Sequence, residues 1–577
     1  MRNKAEIKTE YDRWLREAAS EKDLIAELSD MDDAAIEDAF YRDLAFGTGG
    51  LRGVIGAGTN RMNVFTVAKA SQGLADYVNA HFPDDPSIAI AFDSRIKSGT
   101  FARTAACVFA ANGIKAYLYP EIMPTPCLSF AVRELGCSAG IVITASHNPS
   151  KYNGYKVYGS DGCQITTEAA ADILAEIEKA DIFEDVKSVL FIEGLASGLI
   201  TNIGDDVYTA FTEAVRAQSV LYGDDIDRDV AIVYTPLNGT GLGPVTRALT
   251  ESGFSNITVV EEQRWPDGNF PTCPYPNPEI REAMELGLQY CENTGADLLL
   301  ATDPDADRCG IAVRDGGGYR LLTGNEVGLL LLDYICSQRQ KHGKMPAHPV
   351  FVKTIVTMDL AEKIASHYGV ETINVLTGFK FIGDKIRELE GKEVFIGGGE
   401  ESYGYMIGDF VRDKDAVAAC SMIAEIAAWA AEQGKTFFDV LVDLYTEYGF
   451  YKEGLLSVVR KGKSGAEEIQ QMMKDYRENP PKEIDGEKVV CIKDYKLHES
   501  TDTVTGKKET INLPASNVLQ YFTEKGNKVT VRPSGTEPKI KFYFGVKGEL
   551  PNKEGFDKTN AALDAKIEEI KKSMNLG

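Results

Sequence analysis

Three times along the chain, short apolar runs of strand length alternate with stretches of helical periodicity, and each round ends in a polar loop punctuated by glycine or proline. In the first round, TVAKASQGLADYVNAHF (66–82) and FARTAACVFAANG (101–113) carry apolar residues at helical spacing, the second closing on a glycine. Between and after them lie the strand-like SIAIAFD (87–93) and SAGIVITAS (138–146). VAIVYTP (230–236) and ADLLLATD (296–303) bound the second round, PVFVKTIVT and EVFIGGGEES the third. Such alternation predicts an α/β chain of parallel or mixed sheets. The residues themselves do not repeat, so only the architecture recurs. From residue 448 the character changes: the chain becomes charged and long-looped, turns β-rich around NKVTVRPSGTEPKIKFYFGV, and ends in a helix. Four domains are therefore expected: 1–205, 206–316, 317–447 and 448–577. Open α/β sheets bind ligands outside the carboxyl ends of their strands, so loops from all four are expected to face one cleft.

At 577 residues and 44% hydrophobic content the chain is too long for a single core. It has no apolar run of about 18 residues to span a membrane. Its charged first 23 residues read as a helix without the apolar stretch of a signal peptide. The ten cysteines are scattered with no CxxC pair, which reads as reduced thiols in a cytoplasmic protein. A net charge of −25 argues against nucleic-acid or anionic-membrane partners. A phosphate ester remains open as a ligand, provided that basic residues gather in local motifs.

They do. TASHNPSKYNGYK (144–156) puts Ser146 at the end of a strand beside His147 and Lys156, both expected to offer positive charge to an anion. A serine there either caps the following turn or acts as a nucleophile. The G-x-S-x-G elbow of hydrolases is excluded, because no glycine stands two residues from Ser146 on either side. DPDADR (303–308) sets three carboxylates at alternate positions, a hard oxygen site suited to Mg²⁺ or else a solvated acidic turn. An EF-hand is ruled out, since Arg308 and Arg314 stand where it needs glycine and glutamate. GGGEESYGY (397–405) lets backbone approach a ligand, while Glu400 and Ser402 can bond sugar hydroxyls. RPSGTEPK (532–539) brackets Ser534, Gly535 and Thr536 between Arg532 and Lys539, a phosphate cradle that is not a Walker A loop.

Taken in order, these four loops and FGTGGLRG (46–53) resemble the α-D-phosphohexomutase superfamily, which includes phosphoglucomutases and phosphomannomutases. The resemblance runs over nearly the whole chain. It implies three related α/β mixed-sheet domains and a smaller C-terminal α+β domain of the TBP-like kind around a central cleft. It implies phosphate carried on Ser146, and Mg²⁺ held by Asp303, Asp305, Asp307 and a phosphoserine oxygen. Glu400 and Ser402 would choose the sugar; Arg532, Ser534, Gly535 and Thr536 would grip the phosphate that is not reacting. Arg52, His147, Lys156 and Arg308 fall around the reacting phosphoryl group, and TGFK, with Thr377, Gly378 and Lys380, matches the loop that reads sugar orientation. Phosphomannomutase-type members place a histidine just after the sugar loop, and none stands here. RDKD (412–415) is instead similar to the REKD setting of animal-type glucomutases, which makes Lys414 the expected acid/base.

The implied reaction interconverts glucose 1-phosphate and glucose 6-phosphate through a phosphoserine and glucose 1,6-bisphosphate, which also serves as activator. FGTGGLRG followed by GAGTNRMN (56–63) also looks like the branch with phosphopentomutases and sugar-bisphosphate synthases. Mannose or pentose phosphates, or bisphosphate synthesis, are the rival activities, and a silent sugar-phosphate binding protein is the rival class. The chain is expected to work as a monomer or homodimer.

Overall fold

The computed structural model describes residues 1–47, 49–460, 462–534 and 539–576. Gly535 and Thr536 of the expected phosphate cradle lie outside the described residues.

Four sheets follow one another along the chain. The first has seven strands in the order Phe46–Gly47, Gly50–Val54, Tyr152–Gly159, Ala139–Ile143, Ser87–Phe92, Lys115–Leu118 and Ile200–Asn202. Its last four run parallel, whereas the Gly50–Val54 and Tyr152–Gly159 pair at the other side is antiparallel. The second sheet orders Gly318–Leu322, Cys309–Asp315, Leu298–Thr302, Ile232–Thr235 and Ile257–Val259; the third orders Glu371–Val375, Pro349–Thr354, Val394–Glu400 and Gly404–Ile407. The fourth is antiparallel throughout, built around Phe450–Val459, Lys539–Gly548, Lys528–Pro533 and Leu519–Thr523, with the helix Phe556–Ser573 packed on it.

The three α/β sheets share one device. In each, a parallel strand ends at a site loop and returns at once as its antiparallel neighbour: Ala139–Ile143 into Tyr152–Gly159, Leu298–Thr302 into Cys309–Asp315, and Val394–Glu400 into Gly404–Ile407. The mixed sheets expected from the alternation are present, and the returning strand anchors each loop at both ends. Leu298, Leu299, Leu300 and Ala301 are fully buried, which is why that strand reads as an unbroken apolar run.

The expected break between residues 316 and 317 is displaced. Asp315 and Gly318 close a tight hairpin with Gly316 at φ +57°, so Gly318–Leu322 belongs to the second sheet. The glycine run there is a hairpin turn between two strands of one sheet. The C-terminal segment expected as long loops also holds a ten-residue strand, Phe450–Val459, and a helix, Gly462–Glu478.

The single helix read at the N-terminus is the first of three: Lys4–Glu17, Lys22–Asp30 and Asp33–Phe40. Trp14, fully buried, stands edge-on to Phe40, Phe65 and Phe183 with ring centroids 5.7, 5.6 and 5.4 Å away. Arg13 grips Asp181 with both guanidinium nitrogens, at 2.6 and 2.8 Å. These contacts fasten the helical cap to the first α/β unit. Among the described residues no helix is long and apolar enough to cross a membrane.

Candidate active site

The site grows from the loop after Ala139–Ile143. Ser146 adopts φ +51°, a left-handed conformation that costs a residue with a side chain about 1–2 kcal/mol. Thr144 Oγ1 accepts the Ser146 amide at 2.8 Å and helps to hold the turn. The conformation aims Ser146 Oγ, almost wholly buried, at the second sheet, where it donates to Asp303 Oδ2 at 2.8 Å. His147 Nδ1 lies 3.2 Å from the same oxygen.

Asp303, Asp305 and Asp307 are all buried, and one carboxylate oxygen from each comes within 4.8 Å of the others. Buried Asp305 Oδ1 and Asp307 Oδ1 have no hydrogen-bond partner. Hard, crowded carboxylates with orphaned oxygens fit a divalent cation bound through oxygen, so this cluster can bind a metal. Burial, reinforced by the charges of Asp305 and Asp307, pushes the Asp303 carboxyl well above the usual range. Burial acts on Asp305 in the same sense, but Lys156 and the Thr125 hydroxyl outweigh it and hold that carboxyl low.

Two lysines reach the trio and share Asp307 Oδ2. Lys156, on Tyr152–Gly159, approaches Asp305 Oδ2 at 2.8 Å and Asp307 Oδ2 at 3.3 Å. Lys414 approaches Asp307 Oδ2 at 3.2 Å and Asp413 Oδ1 at 3.1 Å. Burial alone would lower the pKa of Lys414; Asp307, Asp413 and Glu400 raise it instead, so the group is an ammonium. Only glycine at 404 leaves it room, because a Cβ there would fall 2.2 Å from Lys414 Cδ. Arg308 pairs with Glu279 and lies 3.8 Å from Asp307 Oδ1. Arg52, on Gly50–Val54, donates to Asn148 Oδ1 at 3.4 Å, which brings it over the serine loop.

His147 departs from expectation. Burial, with the Arg308 and Arg52 guanidinium groups beside it, pushes its pKa well below the ordinary value, so the ring is neutral and Lys156 alone supplies the charge expected of the pair.

The third sheet contributes Glu400 at the end of its strand, buried and near Lys414 and Arg308, with Ser402 beside it. Gly378, at φ +121°, opens the helix Phe379–Leu389, whose first ring lies 5.1 Å from the Lys414 ammonium. Thr377 Oγ1 is buried without a partner. Lys380 reaches across to Thr167 of the first domain at 3.5 Å. A cavity of about 370 Å³ separates the 400–403 turn from the fourth domain, lined by Glu401, Ser402 and Tyr403 on one side and Lys541 and Tyr543 on the other. Arg532 lies beside Tyr543 and pairs with Lys541 across the strands, while Ser534 N donates to Lys539 O at 2.8 Å.

Sequence reading missed several neighbours of the site. Thr125 donates its hydroxyl to Asp305 Oδ2 at 2.9 Å, and Tyr158 donates to Asp413 Oδ2 at 2.6 Å. Glu279 lies outside every motif read from the sequence, and Lys541 two residues past the RPSGTEPK loop. Only the Thr-Pro helix start at Thr125 carried any local signal.

A serine hydroxyl against a metal-fitting carboxylate trio, with lysines and an arginine closing around it, defines a phosphoryl-transfer enzyme. Comparison with known proteins gives the family. Models of the alpha/beta/alpha domains I, II and III of phosphoglucomutase/phosphomannomutase match residues 43–183, 209–317 and 323–448. The chain is 36% identical to a phosphoglucomutase of Staphylococcus haemolyticus over 93% of its length and 96% of the relative's. It is 38% identical to a phosphoglucomutase of Staphylococcus aureus strain USA300, covering 93% and 94%. Among solved structures, a putative phosphomannomutase from Thermus thermophilus superposes with TM-score 0.66 at 20% identity, covering 88% of this chain and 96% of that one. The open form of parafusin, a phosphoglucomutase from Paramecium, gives 0.65 at 16%, covering 92% and 96%. The chain belongs to the phosphoglucomutase/phosphomannomutase family.

Proposed function

We propose that the protein is a phosphoglucomutase, interconverting glucose 1-phosphate and glucose 6-phosphate with Ser146 as the phosphate carrier. The observation that carries the reading is Ser146 Oγ, 2.8 Å from Asp303 and beside two orphaned carboxylate oxygens. Its relatives named phosphoglucomutase, matched over more than nine-tenths of both chains, support glucose as the sugar.

Phospho-Ser146 gives its phosphate to the free hydroxyl of glucose 1-phosphate; the O–P bond to serine breaks as the bond to the sugar forms. The resulting 1,6-bisphosphate turns over, and Ser146 Oγ takes the phosphate from the other end. Phosphoryl transfer runs through a loose transition state whose spread charge must be met by cations. Mg²⁺, held by Asp303, Asp305, Asp307 and a phosphate oxygen on Ser146, would supply part of that charge when bound. Lys156, Arg308 and Arg52 supply the rest. In the second transfer Lys414, held protonated by its acidic neighbours, gives a proton to the departing sugar oxygen and is reprotonated from the attacking Ser146 hydroxyl; in the first transfer the proton of the attacking sugar hydroxyl passes the opposite way, to Ser146 Oγ. Both orientations of the sugar must fit one site, so the far phosphate needs a fixed anchor. Arg532, with Ser534, Gly535 and Thr536, is that anchor, while Glu400, Ser402 and the 377–380 loop hold the ring. Ten free cysteines suit a reducing, cytoplasmic setting.

A coupled assay of glucose 6-phosphate formation tests the reading, run beside mannose 1-phosphate and ribose 1-phosphate with and without glucose 1,6-bisphosphate. Glucose 1-phosphate should give the highest kcat/KM. A clear preference for mannose or a pentose would overturn the sugar assignment.

A further inference from the structure

Arg95 is a buried cation to which the chemistry above gives no part. It lies just beyond the strand Ser87–Phe92, and its side chain has no exposed surface. Nη2 donates to the carbonyls of Ser146, at 2.5 Å, and Asn148; Nη1 donates to those of Pro149, at 3.0 Å, and Tyr152, at 3.1 Å. Three of the four acceptors belong to the loop that carries the serine, one of them the carbonyl of Ser146 itself, and the fourth, Tyr152, opens the strand that follows.

The arginine is itself held. Asp93 Oδ1 accepts the Arg95 amide at 2.9 Å and the Ser98 hydroxyl at 2.7 Å, and Asp93 Oδ2 lies 3.3 Å from Arg95 Nε. From the second domain, the Phe270 ring stands 5.1 Å from the guanidinium carbon. Gly268 seats that segment so closely that a Cβ on it would fall 2.4 Å from Ile96 N. A few residues further on, Glu279 of the same stretch pairs with Arg308 beside the metal loop.

We propose that Arg95 is a positioning residue for the carrier serine, a planar fork that locks residues 146–152 so that Ser146 Oγ keeps its aim at Asp303 and at the sugar hydroxyl in both half-reactions. The inference rests on Ser146 as the carrier. Serine at φ +51° departs from what its backbone prefers, and the four-carbonyl grip opposes relaxation of that turn. The stacked Phe270 ties the grip to the domain that supplies the aspartate trio, which sets the two halves of the site in register. A lysine would keep the charge, but it is a single point of donation and cannot span four carbonyls as the guanidinium does.

The test is Arg95→Lys in the full chain, with kcat, KM, melting temperature and phosphate occupancy of Ser146 measured together. A misplacement of about 1 Å costs on the order of 100-fold in rate. The expected result is therefore a kcat lower by about 10- to 100-fold, with KM within about threefold and Ser146 still phosphorylated. A folded, phosphorylated variant with wild-type kcat overturns the proposal, even if its melting temperature falls, because Arg95 then serves stability alone. Absence of phosphate on Ser146 in the wild-type protein would instead remove the carrier assignment. If Arg95→Lys does not fold, Phe270→Leu takes its place, since it removes the stacking ring and leaves all four carbonyl bonds available. A severalfold loss of kcat at steady KM supports the proposal, and an unchanged kcat overturns it.

Discussion

Replacing Lys414 by methionine separates its chemical part from its structural one. Its ammonium stands 3.2 Å from Asp307 and 3.1 Å from Asp413, all three largely buried. Breaking a buried ion pair costs about 3–5 kcal/mol when the partner is left without compensation. Here neither partner is orphaned. Asp413 keeps the Tyr158 hydroxyl at 2.6 Å and the backbone amide of residue 414 at 2.8 Å, and Asp307 keeps Lys156 at 3.3 Å. The stability loss should therefore stay nearer the roughly 1.5–3 kcal/mol of a lost charged hydrogen bond. Losing a general acid slows a reaction by about 10²- to 10⁴-fold, or roughly 2.7–5.4 kcal/mol of barrier at 1.36 kcal/mol per decade. A dehydrogenase-coupled assay at saturating glucose 1,6-bisphosphate should then show kcat lower by at least about 100-fold, with KM changed less than about threefold. Thermal melts should show the variant folded. A folded Lys414→Met enzyme with kcat within threefold of wild type would refute the proton-transfer assignment, and so would a loss expressed wholly in KM.

Asp305→Asn should weaken Mn²⁺ or Mg²⁺ binding by at least about 10-fold in calorimetric titration; unchanged affinity would take Asp305 out of the metal site. Arg532→Ala should raise KM for glucose 1-phosphate by about 10- to 100-fold, the equivalent of about 1.5–3 kcal/mol from a charged hydrogen bond, and leave kcat nearly intact. An unchanged KM would remove Arg532 from the phosphate anchor. Asp333, on the helix Gly324–Lys341, is raised from 3.8 to about 6 by burial, although the Tyr368 hydroxyl at 3.0 Å opposes the shift. The folded state therefore holds that proton more tightly than the unfolded one, so the group favours folding at low pH and loses that contribution as pH rises through about 6. Above that it costs up to about 3 kcal/mol, so Asp333→Asn should raise the melting temperature at pH 8 and leave it nearly unchanged at pH 4. Equal shifts at both values would contradict the burial argument.

Residues whose signal lies in their immediate sequence were the legible ones. Ser146, the aspartate trio and Lys156 sit in motifs at strand ends, and short apolar runs and period-3.6 patterns marked the strands and helices that place them. What escaped depends on contacts between distant segments. Thr125 meets Asp305 across 180 residues, Tyr158 meets Asp413 across 255, and no local pattern gives either partner. The charge state of His147 follows from its burial and from two arginines that folding brings beside it. The boundary expected after 316 falls inside a hairpin, because the pairing of Gly318–Leu322 with Cys309–Asp315 is a contact that the glycine run itself does not announce. The three-helix cap was only partly legible, since its second and third helices are short, at 9 and 8 residues.

The central claim is that Ser146 carries phosphate between the two ends of the sugar. Purified enzyme should be incubated with glucose 1,6-bisphosphate labelled in its phosphates, digested, and its peptides sequenced by mass spectrometry. Label should appear on the peptide containing Ser146 and leave it when unlabelled glucose 1-phosphate is added in excess. A fully active enzyme with no label at Ser146, or with label that never transfers to sugar, would contradict the account.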